Sequence, residues 1–425
     1  MTIQLNLTSC AMKGDFTSNV PDTWEKEFNK IVSHDEGHFY KMPSEQDILS
    51  ECKTVYEKFK NHKNFIHVGM GGSSLGPEML VDALATPLKR KNMTFLSNIE
   101  PDWIAEQLKD LSLKESVFYF VSKSGNTMES ISLFLAIKNE MQSQGIKPEQ
   151  FKDHIIVCTG PTGGVLNELI TEYNLTKLEI PVHLGGRFSV LSAVGALPCL
   201  FAGIDPTPIW QGAKDLRDNL EAGDFKNNLF SLGMLLDELN NKGVTQTVLM
   251  PYSSKLKKFT EWFIQLWSES LGKKKNLSGE DIFTGLTPIS SIGTTDQHSQ
   301  MQLFMEGPRD KFVFFLEVEN QSKDYSLNHG LPFKSLEIYQ NRKLTDIFKA
   351  ELEGTMKAFQ DYGLPHVRLS IDGINEQNLG RLIFFFEALT VVMGVAFSVN
   401  PFDQPGVEAS KVNANKWLNG WTGQD

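Results

Sequence analysis

From residue 65 onward, short apolar runs recur along the chain, each closing on Gly, Ser or Asn and each followed by helical spacing. The first four are FIHVGM (65–70), MTFLSN (93–98), SVFYFVS (116–122) and HIIVCTG (154–160). Strands alternating with helices predict βαβ units and a mostly parallel sheet covered on both faces. A second series follows residue 205: TQTVLMPY (245–252), KFVFFLEV (311–318) and HVRLSIDG (366–373). Two α/β domains is the economical reading. The Pro-containing segment IDPTPI (204–209) is a natural junction, which divides the chain into an N-terminal extension (1–44), a first domain (45–205) and a second domain (206–425). Residues 382–399, LIFFFEALTVVMGVAFSV, form the longest apolar run; Glu387 inside it favours a buried core helix over a membrane span.

The spacing of Phe259, Trp262, Phe263, Leu266 and Ser270 predicts an amphipathic helix over KKFTEWFIQLWSESLGKK (257–274), stopped by Gly272. Glu269 falls in its last turn, at the edge of the apolar stripe, where the helix macrodipole opposes a negative charge. That is a useful position for a general base, and it is equally compatible with a solvated Glu offset by the lysines after Gly272.

Composition narrows the functional classes. The 425 residues are 40% hydrophobic, enough for a large core, and Lys plus Arg (41) against Asp plus Glu (52) leaves a net charge of −11. An acidic body argues against a general nucleic-acid or anionic-membrane binder. It leaves room for a small anionic substrate in a local basic pocket. Four separated cysteines without a CxxC pair fit a reducing, cytoplasmic setting, and the first residues lack the charge and apolar run of a signal peptide. HDEGH (34–38) only superficially resembles a zinc helix: Asp35 stands where HExxH needs Glu, and Gly37 weakens the helix, so no metal site is assigned.

Two turns at strand ends carry candidate chemistry. VGMGGSSLGPEML (68–80) brings glycines and Ser73 to a helix start, where backbone N–H groups approach a ligand, but Ser74 breaks the GxGxxG dinucleotide fingerprint. In VSKSGNTMES (121–130), Ser122, Ser124 and Thr127 cluster at a helix N-terminus, a good phosphate site without the spacing of a nucleotide P-loop. There Asn126 and Glu129 suggest a capping box. Arg187 follows two glycines at the entry to an apolar helix; His298 lies one turn into a helix; Lys411 rides on a helix after a Pro-bracketed turn. Taken singly, each also fits a structural role: a cap, an ion pair, a packing histidine, a surface lysine.

Together these segments resemble the phosphoglucose isomerase family, in its compact bacterial form. GGRFS (185–189) and NPFDQPGVEASK (400–411) match its two signature stretches, and VGMGGSSLGP, VSKSGNT, GGRFS, SESLGKK, GTTDQHSQ and NPFDQPGVEASK follow its order across residues 68–411. The resemblance implies two sugar-isomerase (SIS) domains, each a three-layer αβα sandwich with a mostly parallel five-stranded sheet, in a homodimer whose active site is shared between subunits. It implies interconversion of glucose 6-phosphate and fructose 6-phosphate through ring opening and a cis-enediol, with no metal and no cofactor. By motif, Glu269 is then the base that moves a proton between C2 and C1, and Arg187 stabilises the enediolate. His298, from the other subunit, opens the ring, and Lys411 assists at the ring oxygen or the C1 hydroxyl. Gln404 contacts substrate, and Gly72 and Ser73 line the sugar. Ser122, Ser124 and Thr127 hold the phosphate, with Lys123 and Glu129 nearby. Ser124 occupies a family Thr position, and Leu271 stands where many members have Asn. Two other functions share part of this set: an isomerase that also accepts mannose 6-phosphate, and a non-catalytic SIS sensor that needs only the 122–127 loop.

Overall fold

The computed structural model describes residues 3–6, 20–223 and 226–420. Twelve strands appear in chain order: β1 (Gln4–Asn6), β2 (Asn64–Gly69), β3 (Met93–Leu96), β4 (Ser116–Ser122), β5 (Ile155–Thr159), β6 (Thr176–Glu179), β7 (Gln246–Pro251), β8 (Lys273–Lys275), β9 (Asp281–Thr284), β10 (Thr287–Ser290), β11 (Lys311–Val318) and β12 (His366–Ile371). One five-stranded sheet runs β3-β2-β4-β5-β6 and is parallel throughout. The other runs β1-β12-β11-β7-β10, with β12, β11, β7 and β10 parallel and β1 antiparallel on its edge. The fold is therefore α/β with two mostly parallel sheets. Both are wound alike: read from β10, the four parallel strands of the second sheet, numbered among themselves in chain order, run 2-1-3-4, as the first four strands of the first sheet do from β3.

The seven apolar runs all become strands within two residues at each end. Strands β1, β6 and β10, and the antiparallel pair β8-β9 that forms a small sheet of its own, go beyond them. Each is three or four residues long and lies on a sheet edge, and β10 contains Pro288, which an edge position tolerates. Such segments have too little alternation to stand out in a sequence. Residues 4–6 thus belong to the second sheet, although they precede the first in the chain.

Side-chain alternation explains why both faces of each sheet are covered. Along β4, Val117, Tyr119 and Val121 point into a large core, while Phe118 and Phe120 point into a second one under the outer helix Met128–Ser143. The large core also takes in Phe312, Phe314 and Leu316 of β11, so it is continuous between the two sheets. Helices Leu75–Leu84, Ala193–Phe201, Lys257–Leu271 and Glu376–Ala396 fill the space between them. The apolar run at 382–399 lies in the last of these. It is a buried core helix: it crosses Thr207–Ala222 so closely that a Cβ on Gly380 would collide with the Ile209 carbonyl. This packing brings turns from both halves to one place.

Candidate active site

Strand β2 delivers the first turn. After Gly69 the chain makes a 3-10 turn over Gly71–Ser73, with Gly71 at φ +53°. Gly72 lies flat against the Gly186–Arg187 peptide, where any Cβ would collide with the Gly186 carbonyl. His67, wholly buried in β2, supports this turn from below with its Nε2 at 2.6 Å from the Ser73 carbonyl oxygen. A carbonyl only accepts, so Nε2 carries the proton, and burial lowers the imidazole pKa to about 4.

Strand β4 delivers the second turn. Ser122 Oγ and Thr127 Oγ1 share a hydrogen bond of 2.8 Å, and the Thr159 hydroxyl donates to the Ser122 carbonyl at 2.7 Å. The capping expectation at this turn is corrected. The N-cap of Met128–Ser143 is Thr127, with no side-chain cap, and Asn126 Oδ1 accepts instead from Val165 N–H at 3.0 Å. Ser124 Oγ in turn accepts from Asn126 N–H at 3.1 Å. A 16-residue helix therefore opens on backbone donors that no side chain caps, beside three hydroxyls. Lys123 is half-buried beside them; burial and then the Arg187 charge hold its ammonium below the usual lysine range. Glu129 sits in the first turn of the same helix.

Arg187 is the hub. It is buried in a 3-10 turn over Gly186–Phe188, a few residues before the apolar helix that starts at Ala193. Its Nε donates to Ser270 Oγ (2.7 Å), and Nη1 donates to Glu269 Oε2 (3.2 Å) and Gln404 Oε1 (2.8 Å). Nη2 donates to the carbonyls of Pro401 (2.6 Å) and Asp403 (3.1 Å). All five guanidinium donors are thus used, and the group joins the glycine turn, the end of Lys257–Leu271 and the 400–404 loop.

Glu269 lies in the last turn of Lys257–Leu271, partly exposed, as the sequence periodicity predicts. Its Oε1 accepts from Gln265 Nε2 at 3.1 Å. Leu271 is fully buried at the helix end, and Gly272 forms the C-cap. Beyond it, Lys273 is buried and donates to the Glu269 carbonyl (2.5 Å) and the Asp403 carbonyl (2.7 Å). Arg187, Lys123 and Lys273 are thus gathered here, with Glu269 and Asp403 beside them and Glu36 acting on Lys123, in a chain of net charge −11.

The remaining two candidates stand apart. His298 is exposed on a 3-10 turn, Thr295–His298, after β10, with the α-helix beginning only at Met301. Among the described residues it makes no hydrogen bond to the Arg187 cluster. Lys411 is exposed on Glu408–Leu418 and pairs with Glu408 at 2.8 Å. Gln265, Lys273 and Asp403 were not singled out from the sequence. For Gln265 the signal was present: it lies four residues before Glu269, on the same helix face.

A family model described as phosphoglucose isomerase matches residues 41–423. Among curated relatives, a probable glucose-6-phosphate isomerase of Methanococcus maripaludis is 31% identical, over 93% of this chain and 86% of that protein. A glucose-6-phosphate isomerase of Carboxydothermus hydrogenoformans is 33% identical, over 88% of this chain and 83% of its own. Among solved structures, a hypothetical protein of Thermus thermophilus superposes with a TM-score of 0.90 at 29% identity, covering 99% of this chain and 100% of that one. A glucose-6-phosphate isomerase of Chlamydia trachomatis gives 0.77 at 26% identity, covering 89% and 74%.

Proposed function

We infer the reaction path from one premise: the chain belongs to the phosphoglucose isomerase family. Its activity is aldose–ketose isomerisation, the interconversion of glucose 6-phosphate and fructose 6-phosphate. The observation that carries the residue roles is the Arg187 guanidinium, bonded at once to Glu269 and Gln404.

The uncapped start of Met128–Ser143, with Ser122, Ser124 and Thr127, takes the phosphate dianion, and Lys123 adds charge. Gly72 and Ser73 bring backbone close to the sugar. Glu269 removes the proton on C2; the C–H electrons form the C1–C2 double bond, and charge gathers on the former aldehyde oxygen. The proton returns to C1 as O2 becomes the ketone, the O2 hydroxyl proton passing to O1. Arg187 stays protonated throughout, so it offsets the enediolate charge without taking part in proton transfer. Gln404 orients the sugar beside it. Lys411 and His298 assist ring opening, and His298 comes from a second copy of the chain.

Several features support a homodimer. His298 is exposed and makes no hydrogen bond to the cluster among the described residues, and apolar side chains are exposed at Leu331, Phe333 and Ile338 and at Val412, Trp417 and Leu418. Buried, unpaired Cys52, Cys158 and Cys199 support a reducing compartment such as the cytoplasm.

The test is NMR of glucose 6-phosphate in deuterated water with the purified protein. Deuterium at C2 appearing together with fructose 6-phosphate is expected. Glu269→Gln should lower kcat by on the order of 10²–10⁴ with substrate binding largely kept. Binding of sugar phosphate with no exchange and no turnover would favour the sensor reading, and a Glu269→Gln chain with near-normal kcat would remove Glu269 from the base role.

A further inference from the structure

Lys273 follows Gly272 at the foot of the Glu269 helix, in β8, and its side chain is only 5% exposed. A lysine ammonium loses much hydration on such burial, so it persists there only where other groups replace the water. Three groups do so. Nζ donates to the carbonyl of Glu269 at 2.5 Å and to the carbonyl of Asp403 at 2.7 Å, and the Asp403 carboxylate lies at 3.3 Å. Burial, followed by the Arg187 charge, holds its pKa below the usual lysine range, while Asp403 and Glu269 oppose that shift.

The two carbonyls belong to different parts of the chain. The Glu269 carbonyl is one of the last in its helix, where carbonyls lack intrahelical partners and the macrodipole is negative. The Asp403 carbonyl is in the loop that carries Gln404, the next residue. Arg187 reaches the same Asp403 carbonyl from the other side, at 3.1 Å. The loop between Pro401 and Gln404 is therefore held by two buried cations. Arg187 grips it from the glycine turn, and Lys273 grips it from the base's own helix. Loss of Lys273 would leave Arg187 as the remaining bridge, from Ser270 and Glu269 at the helix end to Pro401, Asp403 and Gln404 in the loop, and would remove the direct tie between the Glu269 and Asp403 carbonyls.

We propose that Lys273 is a positioning residue for the isomerisation: it clamps the 401–404 loop to the last turn of the Glu269 helix, so that Gln404 and Glu269 keep one geometry around Arg187. The proposal rests on the assignment of Glu269 as base and Gln404 as substrate contact. Lys273 itself acts through them and touches no reacting atom.

The experiment is a kinetic double-mutant cycle of Lys273→Met, Gln404→Ala and the double variant, with kcat and KM for fructose 6-phosphate and a thermal melt for each chain. Removal of hydrogen bonds from a charged donor predicts a fall in kcat/KM of on the order of 10–100-fold for Lys273→Met. Because the clamp works through Gln404, the same substitution should cost markedly less in the Gln404→Ala background. A lysine that merely stabilised the fold would lower the melting temperature and leave the two kinetic effects multiplicative. Multiplicative effects, or a Lys273→Met chain with normal kcat and KM, overturn the proposal. Should Lys273→Met fail to fold, Lys273→Gln takes its place in the cycle and is judged by the same two outcomes. Glu269→Gln, run alongside, keeps the two readings apart. If it retains full activity, the base assignment fails; if it is inactive and the cycle is multiplicative, only the role of Lys273 fails.

Discussion

At the scale of single residues, the buried cations of the site are matched by partners, and a buried carboxyl elsewhere in the fold is not. Arg187 and Lys273 are buried cations, Arg187 satisfied by the Ser270 hydroxyl, the Glu269 carboxylate and carbonyl oxygens, Lys273 by two carbonyls and the Asp403 carboxylate. Glu387, in the middle of Glu376–Ala396, is fully buried with neither carboxyl oxygen bonded, and desolvation pushes its pKa well above the usual carboxylate range. The folded protein therefore keeps this carboxyl protonated where the unfolded chain, with a pKa of ~4.3, has released the proton. Between those two pKa values the folded state binds the extra proton, so this group's contribution to stability falls as pH rises above ~4.3. Thermal melts of the native chain and Glu387→Gln should then diverge with pH: little difference near pH 4, and a growing advantage for the Gln chain toward pH 8. Melting curves that stay parallel over that range would mean that Glu387 is ionised in the fold.

At the scale of elements, the site depends on two short turns meeting backbone to backbone. The Gly71–Ser73 turn after β2 and the Gly186–Phe188 turn approach so closely that only glycine fits at position 72. His67 holds the first turn through the Ser73 carbonyl, and Arg187 starts from the second. Gly72→Ala should therefore push the two turns apart and shift Arg187 relative to Glu269. A displacement near 1 Å in such a site costs on the order of 100-fold in rate. Steady-state kinetics beside a far-ultraviolet spectrum checks this, and unaltered kcat/KM would show that the turns separate without moving Arg187. The glycines and Ser73 were legible in the sequence because GGSS follows a recognisable strand. The contact with Gly186 was not, because it joins segments more than a hundred residues apart. The Asn126 cap was misjudged because its acceptor oxygen is taken by the N–H of Val165, the first residue of helix Val165–Tyr173, 39 residues on.

At the scale of the whole molecule, one chain brings together Glu269, Arg187 and the 122–127 turn, while His298 and Lys411 remain on exposed elements. If His298 acts across a dimer, inactive Glu269→Gln and His298→Ala chains should partly restore activity when mixed, since a mixed dimer has one site with both residues intact. Restored turnover on mixing is the expected result. Its absence in heterodimers demonstrated by mass would mean that each site is built from a single chain. The gathering of three cations in an acidic body also belongs to this scale: the charges that matter for an anionic substrate are the few the fold brings together, and the total of −11 does not describe them.

The amino-acid sequence by itself determined the seven main strands, the Lys257–Leu271 helix and the buried character of the long apolar run. These depend on local periodicity, which hydrophobic burial turns directly into strand and helix faces. It also determined the identity of the chemical groups, because Glu269, Arg187, Gln404 and the 122–127 hydroxyls lie in compact motifs. Tertiary structure alone decided how those groups are joined. The five-way bonding of Arg187, the Lys273 link between helix and loop, and the placing of β1 beside β12 all depend on close approach of segments distant in the chain. A hydrogen bond is fixed by distances and angles between particular atoms, and no local pattern encodes a distance to a segment two hundred residues away.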